Sequence, residues 1–331
     1  MSVRVGVNGF GRMGRALYRV ALERDPGIEI VAVNDLGSLP TMAALLGRDS
    51  VYGRLDTEVK VLEDQLVVDG RTTRFFNEAD PSRLPWGDLG VDVVVEATGR
   101  FRTRDKAAVH LDAGASRVVV SAPCSDADLT VVLGVNEGSY DPDAHFVISN
   151  ASCTTNCLAP MIRVLDEAFG LEQGFISTVH AYTGDQVLVD GPHKDRRRAR
   201  AAAINIVPTS TGAARAIGLV LPSARGRLDG AALRVPVPDG SVTDLVALVD
   251  RPVEAAEVND AFRDASLQMA GILEYSEEPL VSSDIVGNPA SCVFDSGLTM
   301  ASGRLVKVFG WYDNEWGYAN RLAELAAYVA R

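Results

Sequence analysis

The stretch that most constrains this chain is RVGVNGFGRMG, Arg4 to Gly14. An apolar strand pattern, Arg4–Asn8, runs straight into Gly9, Gly11 and Gly14, and a helical pattern follows from Gly11 to Arg24. Glycine lets the backbone turn tightly at position 9, come close to a pyrophosphate at 11, and pack helix on strand at 14. The N–H groups of the helix start would meet the phosphate charge. A second strand pattern, Glu29–Asn34, ends in Asp35, 21 residues after Gly14. A carboxylate there accepts hydrogen bonds from ribose hydroxyls and repels a 2′-phosphate. Strand, glycines, helix and acid in this order predict a dinucleotide site of the NAD type.

The rest of the first half repeats the alternation. Strands are expected at Val91–Glu96, Arg117–Ser121, Val131–Val135 and His145–Ser149, with a helix over Arg104–Ala113. Apolar strands separated by helices predict a doubly wound parallel sheet covered on both faces. After Ala151 the pattern changes. Longer strands with period-two alternation are expected at Gly174–Thr183, Ala231–Val237, Ser241–Val249 and Arg304–Tyr312. Helices fall near Ser210–Leu221, Glu254–Ala270 and Glu315–Ala330. This predicts an α+β domain on a mostly antiparallel sheet.

SNASCTTNC, Ser149–Cys157, carries the candidate chemistry. Ser152 is a good N-cap for the apolar run Leu158, Met161, Ile162, Leu165. Cys153 then sits in the first helical turn, where the helix dipole favours a thiolate, the reactive form of cysteine. Cys157 lies one turn deeper and is expected to pack. Pro160 should kink the helix. The chain has four histidines. His110 is expected on a helix surface or in packing, His145 opens a strand without polar company, and His193 lies in the basic loop PHKDRRRAR. His180 ends the strand FISTVH and could face Cys153 across the domain junction as its base, although a satisfied structural histidine is the other reading. A nicotinamide and an activated cysteine together point to aldehyde oxidation through a thioester.

Composition narrows the partners. A net charge of −12 argues against nucleic acid or an anionic membrane as the main partner. No apolar run approaches the ~18 residues of a membrane helix. Four cysteines in 331 residues do not form a disulfide framework. The start, MSVRVGVNGF, enters a strand pattern at once, so a cytoplasmic location is expected. No metal site is expected, since no CxxC or HxxxH pattern stands near the cysteines.

NGFGRMGR, NDL, EATGRF, SNASCTTNC, HAYTGDQ, PHKDRRRARAAA, PTSTGAA, LRVPVP and WYDNEWGY occur in that order. Over essentially its full length the chain resembles the phosphorylating glyceraldehyde-3-phosphate dehydrogenases. The resemblance implies Cys153 as nucleophile and His180 as general base. It places Thr183, Asp185 and Arg234 on the substrate's phosphate, and Ser152, Thr154, Thr211 and Gly212 on the attacking inorganic phosphate. Gly9, Gly11, Arg12, Met13, Gly14, Asp35, Thr98, Gly99 and Ser121 would hold NAD, and Asn314 and Tyr318 would orient its nicotinamide. It also returns the last helix to the first domain, giving residues 1–152 with 315–331 for the cofactor and 153–314 for catalysis. A homotetramer is implied, with the basic loop against a neighbouring subunit's cofactor. The bland reading of that loop is a solvated, salt-bridged segment. Glyceraldehyde 3-phosphate and phosphate are the implied substrates.

Leu36 and Pro192 are the choices of NAD-using relatives. Gly191 and Ala79 depart from the common pattern near the adenosine. Erythrose-4-phosphate dehydrogenases, the nearest alternative, differ at Thr183 and in the Pro208–Gly212 loop, both of which match the phosphorylating pattern here. A redox-sensing or partner-binding role for Cys153 is the alternative from another class.

Overall fold

The computed structural model describes residues 2–124 and 126–331. They form two compact units. The first holds the chain up to Val131, Glu137–Ala151 and Ala319–Arg331; the second holds Val132–Asn136 and Ser152–Tyr318. Ser152 and Glu315–Tyr318 thus belong to the second unit rather than to the first.

In the first unit nine strands form one sheet. They are β1 (Val3–Asn8), β2 (Ile28–Asn34), β3 (Val59–Leu62), β4 (Gln65–Val68), β5 (Arg71–Phe76), β6 (Val93–Glu96), β7 (Arg117–Val120), β8 (Leu129–Thr130) and β9 (Val147–Ser149). Their order is β8-β9-β7-β6-β1-β2-β5-β4-β3. All neighbours are parallel except the edge hairpins β3/β4 and β4/β5. The chain runs outward from β1 through β2 to β5, then returns to the other side of β1 as β6. That reversal opens a crevice at the carboxyl ends of β1 and β6, where open α/β sheets bind ligands. Near-continuous apolar runs make this possible: Val93, Val94 and Val95 are fully buried, as a strand covered on both faces requires.

The sequence pattern passed over β3–β5. Their turn signal was present: Asp69 and Gly70 both take positive φ, 52° and 72°, in the tight connection of β4 to β5. The strand expected at Val131–Val135 is instead a turn. Gly134 sits at φ 79°, and the Asn136 side chain accepts the Val132 N–H at 2.8 Å. The helix expected over Arg104–Ala113 is two short pieces, Arg104–Ala107 and Val109–Asp112.

The second unit has a mostly antiparallel sheet of eight strands. They are β10 (Leu171–Ala181), β11 (Val207–Ser210), β12 (Leu228–Val235), β13 (Ser241–Val249), β14 (Leu273–Ser276), β15 (Cys292–Asp295), β16 (Met300–Ser302) and β17 (Leu305–Tyr312). The order is β11-β12-β10-β13-β17-β15-β14, with β16 on β17. Only β10/β12 and β14/β15 are parallel. Helix Cys153–Phe169 lies on this sheet and runs unbroken through Pro160. Strand β10 alternates as expected of a half-covered sheet: Ile176 is buried while Phe175 is 72% exposed. The last helix is Trp316–Val329. Among the described residues no helix is long and apolar enough to cross a membrane, and no group of three metal-ligating side chains occurs.

Candidate active site

In the first unit, Gly9, Gly11, Asp35 and Thr98 line one cleft at the strand ends, together with Asn8, Leu36 and Phe101. The three glycines have separate reasons. Gly9 has φ 100°, and a Cβ there would lie 2.7 Å from the Ala97 and Thr98 backbone. A Cβ on Gly14 would collide with the Gly9 carbonyl. At Gly11 a Cβ would meet nothing within 4 Å. The fold itself does not require glycine at 11, so that open space suits a bound group such as a pyrophosphate. Asp35 is held by two backbone donors, Phe10 N–H and Gly37 N–H, each at 2.8 Å. Each carboxylate oxygen keeps a further lone pair for a ribose hydroxyl. These residues therefore fit a dinucleotide.

Other residues expected at the cofactor belong to the same unit. Arg12 forms an ion pair with Asp49, and its guanidinium lies 5.8 Å from the Tyr52 ring centre. Gly99 has φ 68° with open space around it. Ser121 N–H donates to the Glu96 carbonyl at 2.9 Å. Thr98 hydrogen-bonds to the Glu96 carboxylate through both its N–H and its hydroxyl.

The second unit holds the thiol site. Ser152 caps the helix, its hydroxyl accepting the Thr155 N–H at 3.1 Å. Cys153 is the first helical residue and half-buried. Its Sγ lies 3.5 Å from His180 Nε2. The pair lies within one unit, not across the two as the sequence pattern suggested. His180, at the end of β10, is 4% exposed. Its Nδ1 sits 2.7 Å from the Ala181 carbonyl, so Nδ1 carries the proton and Nε2 presents a lone pair to the thiol. Arg234 stands close by. Its Nη1 lies 2.9 Å from Nδ1, but its two protons go to Ala181 O at 3.1 Å and Thr183 Oγ1 at 3.3 Å.

Burial pushes the Cys153 thiol up to about 11, against the pull of the Arg234 cation and the Thr154 N–H. Burial, with the same cation, pushes His180 down to about 3. Burial thus works against the charged form of each partner, while the Arg234 cation favours the thiolate. The helix start does not by itself hold a thiolate; the anion forms when His180 Nε2 takes the proton. Cys157 is fully buried and donates to the Gly310 carbonyl at 3.4 Å, a packing thiol.

The surroundings suit an anion. Arg234 Nε and Gln186 Nε2 are buried donors with no hydrogen-bond partner among the described residues. Arg234 thus keeps one edge of its fork uncommitted, the geometry that receives a phosphate or carboxylate. Thr211 Oγ1 accepts the Ala213 N–H at 3.2 Å, opening helix Ala213–Val220, and Gly212 beside it leaves open space. Asp185 was expected on a phosphate, which a carboxylate would repel. It is instead ion-paired with Arg198, whose Nε donates to Thr209 Oγ1 at 2.9 Å. Arg198 was hidden in the basic run, where neighbouring arginines carry the same signal.

Tyr312 was also missed. Its hydroxyl bridges Thr154 Oγ1 at 2.9 Å and Thr178 Oγ1 at 2.8 Å, and its ring meets His180 edge-on at 5.9 Å. Ser241 Oγ accepts the Ala181 N–H and donates to Asn314 Oδ1 at 2.6 Å. That bond fixes the Asn314 amide with its NH2 available as a donor. Tyr318 is 5% exposed. The other histidines have partners too. His110 is fully buried and hydrogen-bonded to Glu96 and Trp86, not on the surface. His145 Nδ1 accepts the Asp141 N–H at 2.9 Å, and His193 Nδ1 accepts the Asp195 N–H at 2.9 Å.

The family model "Glyceraldehyde 3-phosphate dehydrogenase, NAD binding domain" matches residues 3–104, and its C-terminal domain counterpart matches residues 152–314. The chain belongs to the glyceraldehyde-3-phosphate dehydrogenase family. It is 59% identical over 330 residues to glyceraldehyde-3-phosphate dehydrogenase 2 of Streptomyces arenae, covering 99% of both chains. It is 57% identical over 332 residues to the Streptomyces coelicolor enzyme, again covering 99% of both. With that of Geobacillus stearothermophilus it shares 56% over 332 residues, 100% of this chain and 99% of the relative. The match to the family's NAD-binding domain falls within the unit that carries the glycine cleft, and the match to its C-terminal domain falls within the unit that carries the Cys153–His180 pair.

Proposed function

We propose that this chain is a glycolytic oxidoreductase, an NAD-dependent glyceraldehyde-3-phosphate dehydrogenase that makes an acyl phosphate through a thioester on Cys153. The observation that carries the reading is the 3.5 Å approach of Cys153 Sγ to the lone pair of His180 Nε2, beside an arginine with an uncommitted edge. His180 Nε2 takes the thiol proton as Sγ adds to the aldehyde carbon, giving a hemithioacetal. The imidazolium gives that proton to the new alkoxide oxygen, which becomes the hemithioacetal hydroxyl and restores Nε2. Nε2 then takes the hemithioacetal hydroxyl proton as the C–H hydrogen departs as hydride, leaving the thioester. NAD, when bound, supplies the hydride acceptor. In the first unit Gly9, Gly11, Gly14, Asp35 and Thr98 would hold it; in the second, Asn314 keeps an amide NH2 to donate to a carboxamide.

The substrate's phosphate would sit on Arg234 and Thr183. Inorganic phosphate would sit on Ser152, Thr154, Thr211 and Gly212, with Arg198 adding a cation, and would displace the thiol from the thioester. Asp35 repels a 2′-phosphate and Leu36 offers no donor, which favours NAD over NADP. A homotetramer is supported by apolar residues left open to water: Leu188, Val189, Ile204 and Ile206 between β10 and β11 are 66–80% exposed. A cytoplasmic location is supported by four free cysteines.

The test is NADH formation from glyceraldehyde 3-phosphate with phosphate present, with phosphate omitted, and with NADP in place of NAD. Turnover that needs phosphate and prefers NAD is expected. Undiminished turnover without phosphate would mean hydrolysis of the thioester and would remove the assignment of Thr154, Thr211 and Gly212.

A further inference from the structure

Parallel register sets three polar residues side by side where the cleft begins: Asn34 and Glu96 flank Asn8 on β2, β6 and β1. One end of this row is a carboxylate out of water, since Glu96 is 2% exposed. A carboxylate only accepts, so it must be met by donors. Four are present. Glu96 Oε1 accepts the Thr98 N–H at 2.8 Å and the Thr98 hydroxyl at 2.5 Å. Its Oε2 accepts Asn8 Nδ2 at 2.6 Å and His110 Nε2 at 3.1 Å.

His110 has no freedom to do otherwise. The Trp86 indole N–H donates to His110 Nδ1 at 3.0 Å, and an indole nitrogen cannot accept. The His110 proton is therefore on Nε2, aimed at Glu96. Trp86 is itself locked, fully buried with its ring 2.8 Å from where a Gly6 Cβ would be. On the other side Asn8 Oδ1 accepts Asn34 Nδ2 at 2.7 Å. Asn34 clasps the Glu78 backbone, donating to its carbonyl and accepting its N–H, each at 2.9 Å. Asn8, Asn34, Glu78 and Thr98 all line the cleft.

We propose that Glu96, oriented by His110, is the positioning residue of the cofactor cleft, holding Thr98 and the Asn8–Asn34–Glu78 wall in the shape that receives the adenosine half of NAD. The proposal rests on the reading of this cleft as the NAD site. Walls ordered before binding spare the ligand the cost of ordering them. Glutamine cannot replace the acid. Its NH2 would face either the Thr98 N–H or the Asn8 and His110 donors. His110 cannot change tautomer while Trp86 holds Nδ1, and Asn8 cannot flip without losing Asn34.

The test compares Glu96→Gln, His110→Leu, His110→Gln and Asp35→Asn in the full-length protein. NAD dissociation constants are measured by titration, together with KM for each substrate and the rate of Cys153 alkylation without cofactor. Glu96→Gln and His110→Leu should weaken NAD about tenfold or more, through donors left unmatched, while alkylation and KM for the aldehyde stay unchanged. His110→Gln should stay within about threefold of wild type, since its amide can accept from Trp86 and donate to Glu96. If Glu96→Gln does not fold, the two His110 variants carry the comparison. NAD affinity within twofold of wild type in Glu96→Gln and His110→Leu overturns the proposal, as does equal loss in His110→Gln and His110→Leu. Asp35→Asn separates the readings. If it alone weakens NAD, positioning by Glu96 fails and the cleft assignment stands; if no variant weakens NAD, both fail.

Discussion

Replacing Arg234 by leucine tests how the second unit combines substrate binding with thiol chemistry. Nη1 of Arg234 is committed to Ala181 O and Thr183 Oγ1, while Nε has no partner. The uncommitted edge can give a phosphate two charge-assisted hydrogen bonds, each worth about 1.5–3 kcal/mol. Losing both removes roughly 3–5 kcal/mol of binding, since two such bonds to one group are not fully additive. At about 1.4 kcal/mol per factor of ten, KM for glyceraldehyde 3-phosphate should rise by roughly 10²–10⁴. The same cation lowers both Cys153 and His180, so its loss should raise the pH at which Cys153 ionises. The assay is steady-state kinetics with glyceraldehyde 3-phosphate and with unphosphorylated glyceraldehyde, plus the pH profile of Cys153 alkylation. The unphosphorylated aldehyde should show little change in KM. Equal KM increases for both aldehydes, or an alkylation profile that stays in place, would refute the reasoning. Arg234→Lys should recover part of the binding, since it restores the charge without the fork.

Three further outcomes are expected. His180→Asn should slow turnover by roughly 10²–10⁴, the share of a general base, and a loss below tenfold would leave His180 a structural role. Stability should decline on both sides of neutrality. His180 is held near 3 in the fold against 6.5 in the open chain, so the unfolded state takes a proton the native state refuses as pH falls from about 6.5 toward 3. Cys153 is raised to about 11 from 9, so the unfolded state loses a proton the native state keeps as pH rises from about 9 toward 11. Each proton gives a slope of about 1.4 kcal/mol per pH unit, and thermal melts of His180→Asn should flatten the acid limb; an unchanged limb would place the linkage elsewhere. Finally, Gly11→Ala should melt within about 2 °C of wild type yet bind NAD at least about tenfold more weakly, while Gly14→Ala should lower Tm by several degrees, as overpacking costs about 1–3 kcal/mol. Wild-type NAD affinity in Gly11→Ala would show that nothing approaches the backbone there.

Periodicity made β1, β2, β6 and β13 legible because each is long or apolar enough to stand out against its neighbours. The edge hairpins β3–β5 were not legible. Their alternation is short and partly polar, so the Asp69–Gly70 turn signal, borne out by positive φ at both residues, stood without clear strands on either side. Val131–Val135 looks like a strand by residue type, yet the sheet ends at Thr130 and the next residues turn. Cys153 and Ser152 were legible through local chemistry, a cap and a first-turn thiol. Arg198, Tyr312 and the Glu96–His110 pair were not, because each acts on residues far off in the chain: Tyr312 lies 158 residues from Thr154.

What the sequence by itself determined is local. The glycine turn, the acid after β2, the capped thiol and the order of strands and helices follow from backbone sterics, helix ends and hydrophobic period, all of which act over a few residues. The tertiary structure alone decided which distant groups share a proton or a charge. It decided that burial raises Cys153 against the pull of the Arg234 cation, and that burial and the same cation together lower His180. It decided that Asp185 serves Arg198 and that a buried carboxylate stands behind the cleft with four donors matched to it. Desolvation and hydrogen-bond matching depend on what packs around a group, and no window of sequence contains that.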